Sequence, residues 1–381
     1  MFAQDNKGVS VEGQFFEYGD YFQKLSVGAA GKQMPDIMQM DMNNFKQFKK
    51  NNLLLDMQRY IDNKTIDVSA VDKKVVSQGK LDGGMYGFTN AINAPALMYN
   101  KSLLDKLGIT LTNDMTLEQF KDVSRQVYQK SGYKTNFAYY EPTDLLAYQV
   151  RSKGKILLKD GKLGVKSPSE LEPFFQMYAD GLKEGWHIDP KVFAEIKISS
   201  VEQNPLLYGS DPSRRSWCAF MYSSQSVAAQ AAAQNGDKLA MVPWPSDNVS
   251  KSEYLKPSQY WVVSKNCKNP DLAAKWINFY INSVKANKIL LTDRGLPISG
   301  KVLDAIKTDL TQPDQDAVDF IQKVVTPHST EVNPPFPVGT SEIDTKTLPS
   351  VEEELCYGKI GVKEAAERFF RQANETLSNA R

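Results

Sequence analysis

Three observations predict an α/β fold. Short apolar runs alternate with longer amphipathic segments, those segments carry helix start and stop signals, and polar residues cluster directly after the apolar runs. The stretch from Gly28 to Asp41 combines all three. It reads as the end of a helix rich in small residues, a turn set by Gly31 and Pro35, and a short apolar strand through Ile37, Met38 and Met40. That strand delivers Asp41, Asn43 and Asn44 at its carboxyl end, where open α/β sheets bind ligands.

The remaining elements follow in order. Residues 1–8 resemble the last turns of a helix ending at Gly8, and Val9 to Phe15 alternates like a strand. A helix that opens an α/β domain normally follows a strand, so the first strand is expected to be missing from this chain; a native amino-terminal helix is the other reading. Helices are expected over residues 21–30 and 44–60, the second with Phe45, Phe48, Leu53 and Leu54 inward. Gly83-Gly84 marks a turn before a short strand, and residues 94–101 form an extended apolar segment whose Pro95 suits an edge or a crossing.

Thr116 with Gln119 is a capping box, and the helix it opens stops at Gly132. Ser167, Pro168 and Glu170 open another, stopped at Gly185. Residues 136–140, 217–222, 239–242 and 260–264 read as strands. Asn269 and Pro270 start a helix, and the last helix, about residues 362–377, buries Ala365, Ala366, Phe369, Phe370 and Ala373.

Composition narrows the function. At 381 residues the chain suits two or three domains, and 46 basic against 45 acidic residues give no field to steer nucleic acid or an anionic membrane. Three cysteines, none in a Cys-x-x-Cys pair, make no disulfide framework. No apolar run reaches the roughly 20 residues needed to cross a bilayer. With only His187 and His328, a histidine metal cluster or triad would need both scarce residues in one place. No hydrolase elbow, zinc-protease motif or dinucleotide glycine fingerprint occurs, so neither a metal nor a cofactor is expected. A carboxylate pair for glycoside cleavage stays open among so many acids, although no pair stands out. The 17 Tyr, 18 Phe and 5 Trp, several beside Asn, Gln, Asp and Ser in loops after strands, suit a neutral polyhydroxylated ligand.

Several marks occur in one order along nearly the whole chain. They are Gly28-Ala29-Ala30-Gly31 with Pro35-Asp36-Ile37, then Ala96-Leu97-Met98-Tyr99-Asn100-Lys101, then Trp217-Cys218-Ala219-Phe220-Met221. Pro243-Trp244-Pro245, Tyr260-Trp261-Val262-Val263-Ser264-Lys265, Asn269-Pro270-Asp271-Leu272-Ala273-Ala274-Lys275 and Gly295-Leu296-Pro297 complete the series. In these the chain resembles the maltose-binding-like extracellular solute-binding proteins of carbohydrate ABC transporters. The resemblance implies a two-lobed, type II periplasmic-binding-protein-like fold whose lobes are joined by crossing strands, and a hinge that closes over sugar held between them. Lobe one would be residues 1–97 plus 257–303, and lobe two residues 98–256 plus 304–381, with crossings near 94–100, 254–257 and 299–309. It further implies a monomer outside the cytoplasm, a carbohydrate ligand, ABC transporter permease subunits as partners, no catalysis, and a membrane link only through a lipid anchor absent from this chain.

The same resemblance supplies the candidate site. Asp41, Asn43 and Asn44 occupy the place of hydroxyl-binding groups, with a helix N-cap as the competing role for Asn43. Asn93 precedes the first crossing and is a sugar contact or a turn residue. Glu141-Pro142 matches a Glu-Pro pair at the cleft, which makes Tyr140 and Glu141 candidates, Tyr140 being equally a core aromatic. Ser223, Ser224 and Gln225 are cleft donors or caps, Trp244 is a stacking platform or a surface wedge, and Gln259, Tyr260 and Trp261 lie where the chain re-enters lobe one. Tyr260 and Trp261 face opposite ways, so one of them belongs to the core. A carbohydrate-active hydrolase or lyase, with Glu141 as its acid, and a binding protein for a non-sugar solute are the alternatives.

Overall fold

The structure is a computed structural model describing residues 1–16, 18–137, 142–196, 200–209 and 211–380. The chain divides into two compact units, Met1–Ile92 with Pro257–Leu310, and Asn93–Lys256 with Thr311–Arg381.

The first unit is built on a three-stranded sheet. Its strands are β1 (Ile37–Met40), β2 (Phe88–Thr89) and a later strand, Tyr260–Val263, which lies between them and is antiparallel to both. Met40 lies opposite Tyr260, and Tyr260 opposite Thr89, so the carboxyl ends of β1 and β2 meet the amino end of the central strand at one edge. Phe88 and Val263 pack with Met57, Tyr60, Met85 and the inner face of the Pro270–Asn282 helix, through Ala273, Ala274, Ile277 and Ile281.

The second unit repeats the plan with β3 (Pro95–Asn100), β4 (Cys218–Tyr222) and β5 (Leu239–Val242). Here β3 is central and antiparallel to both neighbours, with Pro95 opposite Tyr222 and Leu97 opposite Val242. All five residues of β4 are buried, which is why the strand reads as a continuous apolar run. Around it lie Phe120, Phe137, Phe174, Tyr178 and Trp217, and the Val362–Asn379 helix adds Ala365, Ala366, Phe369 and Ala373.

Several local expectations hold for local reasons. Thr116 and Gln119 close a reciprocal capping box on the Leu117–Ser131 helix, and Gly132 ends it in the left-handed region at φ 78°. Gly185 does the same at φ 82° for Glu172–Glu184. Others are corrected. The helix expected over residues 44–60 is Met42–Lys50 followed by a turn, because Asn52 adopts φ 55° and Leu54 bridges to Ser264 in the sheet. No strand forms over residues 9–15, and residues 10–15 are exposed, Phe15 to 87%. Pro95 opens a central strand instead of marking an edge, a place proline tolerates as the first residue. Residues 136–140 are no regular strand as far as they are described; the pairing lies earlier, at Lys134 with Ser216 and Thr135 with His187. Among the described residues no helix is long and apolar enough to cross a membrane.

Candidate functional site

Each unit gathers polar groups at one sheet edge. In the first, β1 hands the chain to Asp41, whose carboxylate caps the Met42–Lys50 helix: Oδ1 accepts from the Asn44 backbone N–H at 2.8 Å and from its Nδ2 at 3.0 Å. The cap is therefore Asp41, and Asn43 lies inside the helix. One residue beyond β2, Asn90 is buried and clasps Gln259. Its Oδ1 accepts from the Gln259 N–H at 2.9 Å, while its own N–H donates to the Gln259 carbonyl at 2.9 Å. Tyr21 donates to the Gln39 carbonyl at 2.9 Å, and burial pushes its phenol up to about 12. Asp41, Asn90 and Gln259 thus share an edge, with Asn43 and Asn44 on the first turn after it.

The aromatic residues there are committed to packing. Tyr260 stacks on Phe45 with centroids 4.5 Å apart and is 1% exposed, and burial raises its phenol pKa well above the ordinary value. Trp261 points to the other face of the strand and meets Trp276 edge-on at 4.7 Å and Tyr280 at 5.2 Å. Sequence reasoning assigned one of the pair to the core; both are packed, each against a different helix.

In the second unit the edge is where β4 ends and β3 begins. Ser223 exchanges backbone and side-chain contacts with Ala94: its N–H donates to the Ala94 carbonyl at 2.9 Å, and its Oγ accepts from the Ala94 N–H at 3.1 Å. Asn93 Nδ2 donates to Ser224 Oγ at 3.2 Å, which brings these three candidates together. Gln225 Oε1 accepts from the Tyr222 N–H at 2.9 Å and so ties off the turn. Trp244, two residues past β5, is corrected from a stacking platform to a core residue. It is 1% exposed, with Tyr148, Phe220 and Tyr222 around it at 5.4, 5.9 and 5.6 Å. Among the described residues its indole Nε1 has no hydrogen-bond partner. Tyr140 and Glu141 lie outside the described residues.

Three groups at this edge were not singled out from the sequence. Tyr222 donates its hydroxyl to the Asp144 carboxylate, and the Lys256 ammonium lies 4.1 Å from the centroid of the Tyr222 ring. Only their types could have flagged them, since Asp144, Tyr222 and Lys256 are far apart in sequence. Asn90, in the other unit, did carry a signal, being an amide directly after a short apolar strand.

The chemistry on offer is hydrogen bonding. His187 is buried with both ring nitrogens engaged, Nε2 accepting from the Phe137 N–H at 3.1 Å and Nδ1 donating to the Ile188 carbonyl at 2.9 Å; burial lowers its pKa to about 4, so it stays neutral. Among the described residues no cluster of three or more His, Cys, Asp or Glu could hold a metal ion.

Comparison with known proteins agrees with this organisation. Residues 1–317 match the model of the bacterial extracellular solute-binding protein family. The maltodextrin-binding protein MdxE of Bacillus subtilis is 24% identical over 324 residues, covering 79% of this chain and 69% of that protein. A family 1 extracellular solute-binding protein from Alicyclobacillus acidocaldarius superposes with a TM-score of 0.73 at 28% identity, over 95% of this chain and 89% of that one. A periplasmic oligogalacturonide-binding protein from Yersinia enterocolitica, in complex with saturated digalacturonic acid, superposes with a TM-score of 0.82 at 20% identity, over 100% and 94% of the two chains. The fold is that of the two-lobed periplasmic solute-binding proteins, and the chain belongs to the bacterial extracellular solute-binding protein family.

Proposed function

We propose that this protein binds an oligosaccharide outside the cytoplasm and presents it intact to the membrane subunits of an ABC importer. The observation that carries the proposal is the pair of sheet edges, one per unit: a carboxylate and two amides from Asp41, Asn90 and Gln259 in one, an amide and two hydroxyls from Asn93, Ser223 and Ser224 in the other. Such groups match the alternating donors and acceptors of sugar hydroxyls. The saccharides named for MdxE and for the Yersinia protein point the same way.

The mechanism is binding without bond cleavage. A ligand whose contacts form fully in only one conformation favours that conformation, and the importer reads it. The protein acts as a monomer, and its ligand leaves unchanged.

A thermal-shift screen over mono- and oligosaccharides tests this. A ligand present at about 100 times its dissociation constant stabilises the native state by about 2.7 kcal/mol. At least one saccharide should raise the melting temperature and be recovered uncleaved after hours. A silent panel, or prompt cleavage of the ligand, would overturn the reading.

A further inference from the structure

We propose that Lys256 gives the second unit's edge a preference for a saccharide carrying a carboxylate. This rests on the saccharide-binding reading above and narrows it.

Lys256 is partly buried, and its ammonium is held against the face of Tyr222, 4.1 Å from the ring centroid. The negative face of the ring fixes the cation in place while leaving its N–H donors unspent. Among the described residues Lys256 forms no ion pair. The carboxylate of Asp144 accepts from the Tyr222 hydroxyl and forms no ion pair with Lys256. Tyr222 itself stands opposite Pro95 and directly before Ser223, so the cation belongs to the same edge as Asn93, Ser223 and Ser224.

The other groups of that trio are uncharged. A ligand settling there removes water from the ammonium, and a neutral sugar returns no counter-charge for the hydration lost. A uronate carboxylate does, through a charge-assisted hydrogen bond from Nζ, while its remaining hydroxyls meet the amide and the serines. A lysine suits this role as a point charge on a flexible stem, able to follow the carboxylate of one sugar unit.

Calorimetric titration of the whole chain with digalacturonate and with its dimethyl ester separates charge from shape. The acid should bind at least about 10-fold more tightly than the ester, in keeping with the strength of charge-assisted bonds. Lys256→Met and Lys256→Gln should abolish that preference while melting with the parent protein, and Lys256→Arg should keep most of it. Equal affinity for acid and ester, or a preference that survives in Lys256→Met and Lys256→Gln, would overturn the proposal. Binding of neutral maltodextrins with no response to digalacturonate would sink the charge assignment alone; no response to any saccharide would sink the reading beneath it as well.

Discussion

Replacing Glu253 by glutamine should change how stability depends on pH. Glu253 is 1% exposed in the second unit; its Oε2 accepts from the Tyr148 hydroxyl at 3.0 Å and its Oε1 from the Tyr254 N–H at 3.1 Å. Arg151 passes close by but spends its donors on the Ser252 and Glu331 carbonyls and on Thr330 and Asn333. Burial pushes the Glu253 carboxyl from 4.5 up to about 8, against the opposing pull of the Tyr254 N–H, the Tyr148 hydroxyl and the Arg151 cation. The native state therefore holds a proton that the unfolded chain releases near its ordinary pKa. Stability from this group is complete below pH 4.5 and is lost as pH rises to about 8. At about 1.4 kcal/mol per pH unit, the span from 4.5 to about 8 is worth about 5 kcal/mol. Glu253→Gln keeps the shape and is neutral throughout. Urea unfolding of both proteins at intervals between about pH 4.5 and 8 should show the parent losing stability steadily against the variant and levelling off above that range. A difference between the two proteins that stays constant across the range would refute the reasoning.

Substitutions at four further positions separate structural from binding roles. Asp41→Ala removes the helix cap and should cost about 1 kcal/mol in urea unfolding, whereas Asp41→Ser restores the cap without the charge, so any saccharide affinity still missing in the serine variant belongs to the ligand. Trp244→Ala, emptying a site walled by Tyr148, Phe220 and Tyr222, should destabilise the protein by about 3–5 kcal/mol in the same assay, well beyond what loss of an exposed stacking ring would do. Gly79→Ala would set a methyl 1.7 Å from the Gly87 carbonyl oxygen and should lower the melting temperature sharply or prevent folding; Gly361→Ala, with nothing within 4 Å, should fold with a melting temperature near that of the parent.

What the sequence revealed depended on range. The Leu117–Ser131 helix was legible to the residue because its capping box and terminal glycine act within a few positions. Residues 51–57 misled because the helical spacing of Leu53 and Leu54 competes with a bridge to Ser264, more than two hundred residues away. Residues 9–15 carry strand-like alternation, yet alternation forms a strand only where a neighbour supplies hydrogen bonds. At the candidate site, Asn93, Ser223 and Ser224 came from the family resemblance, and the structure brings them to one sheet edge. The burial of Trp244 and Tyr260 was not legible, since an aromatic residue beside a turn reads the same whether its ring is covered or bare.

The antiparallel central strand of each sheet has a consequence for how such a protein changes its taste in ligands. Each edge is stitched from stretches remote along the gene: residues 41, 90 and 259 in one unit, 93, 223 and 256 in the other. A mutation in one stretch alters a single contact and leaves the others on their own strands. On the proposed binding role, specificity would therefore drift one hydroxyl or one charge at a time, with the scaffold untouched.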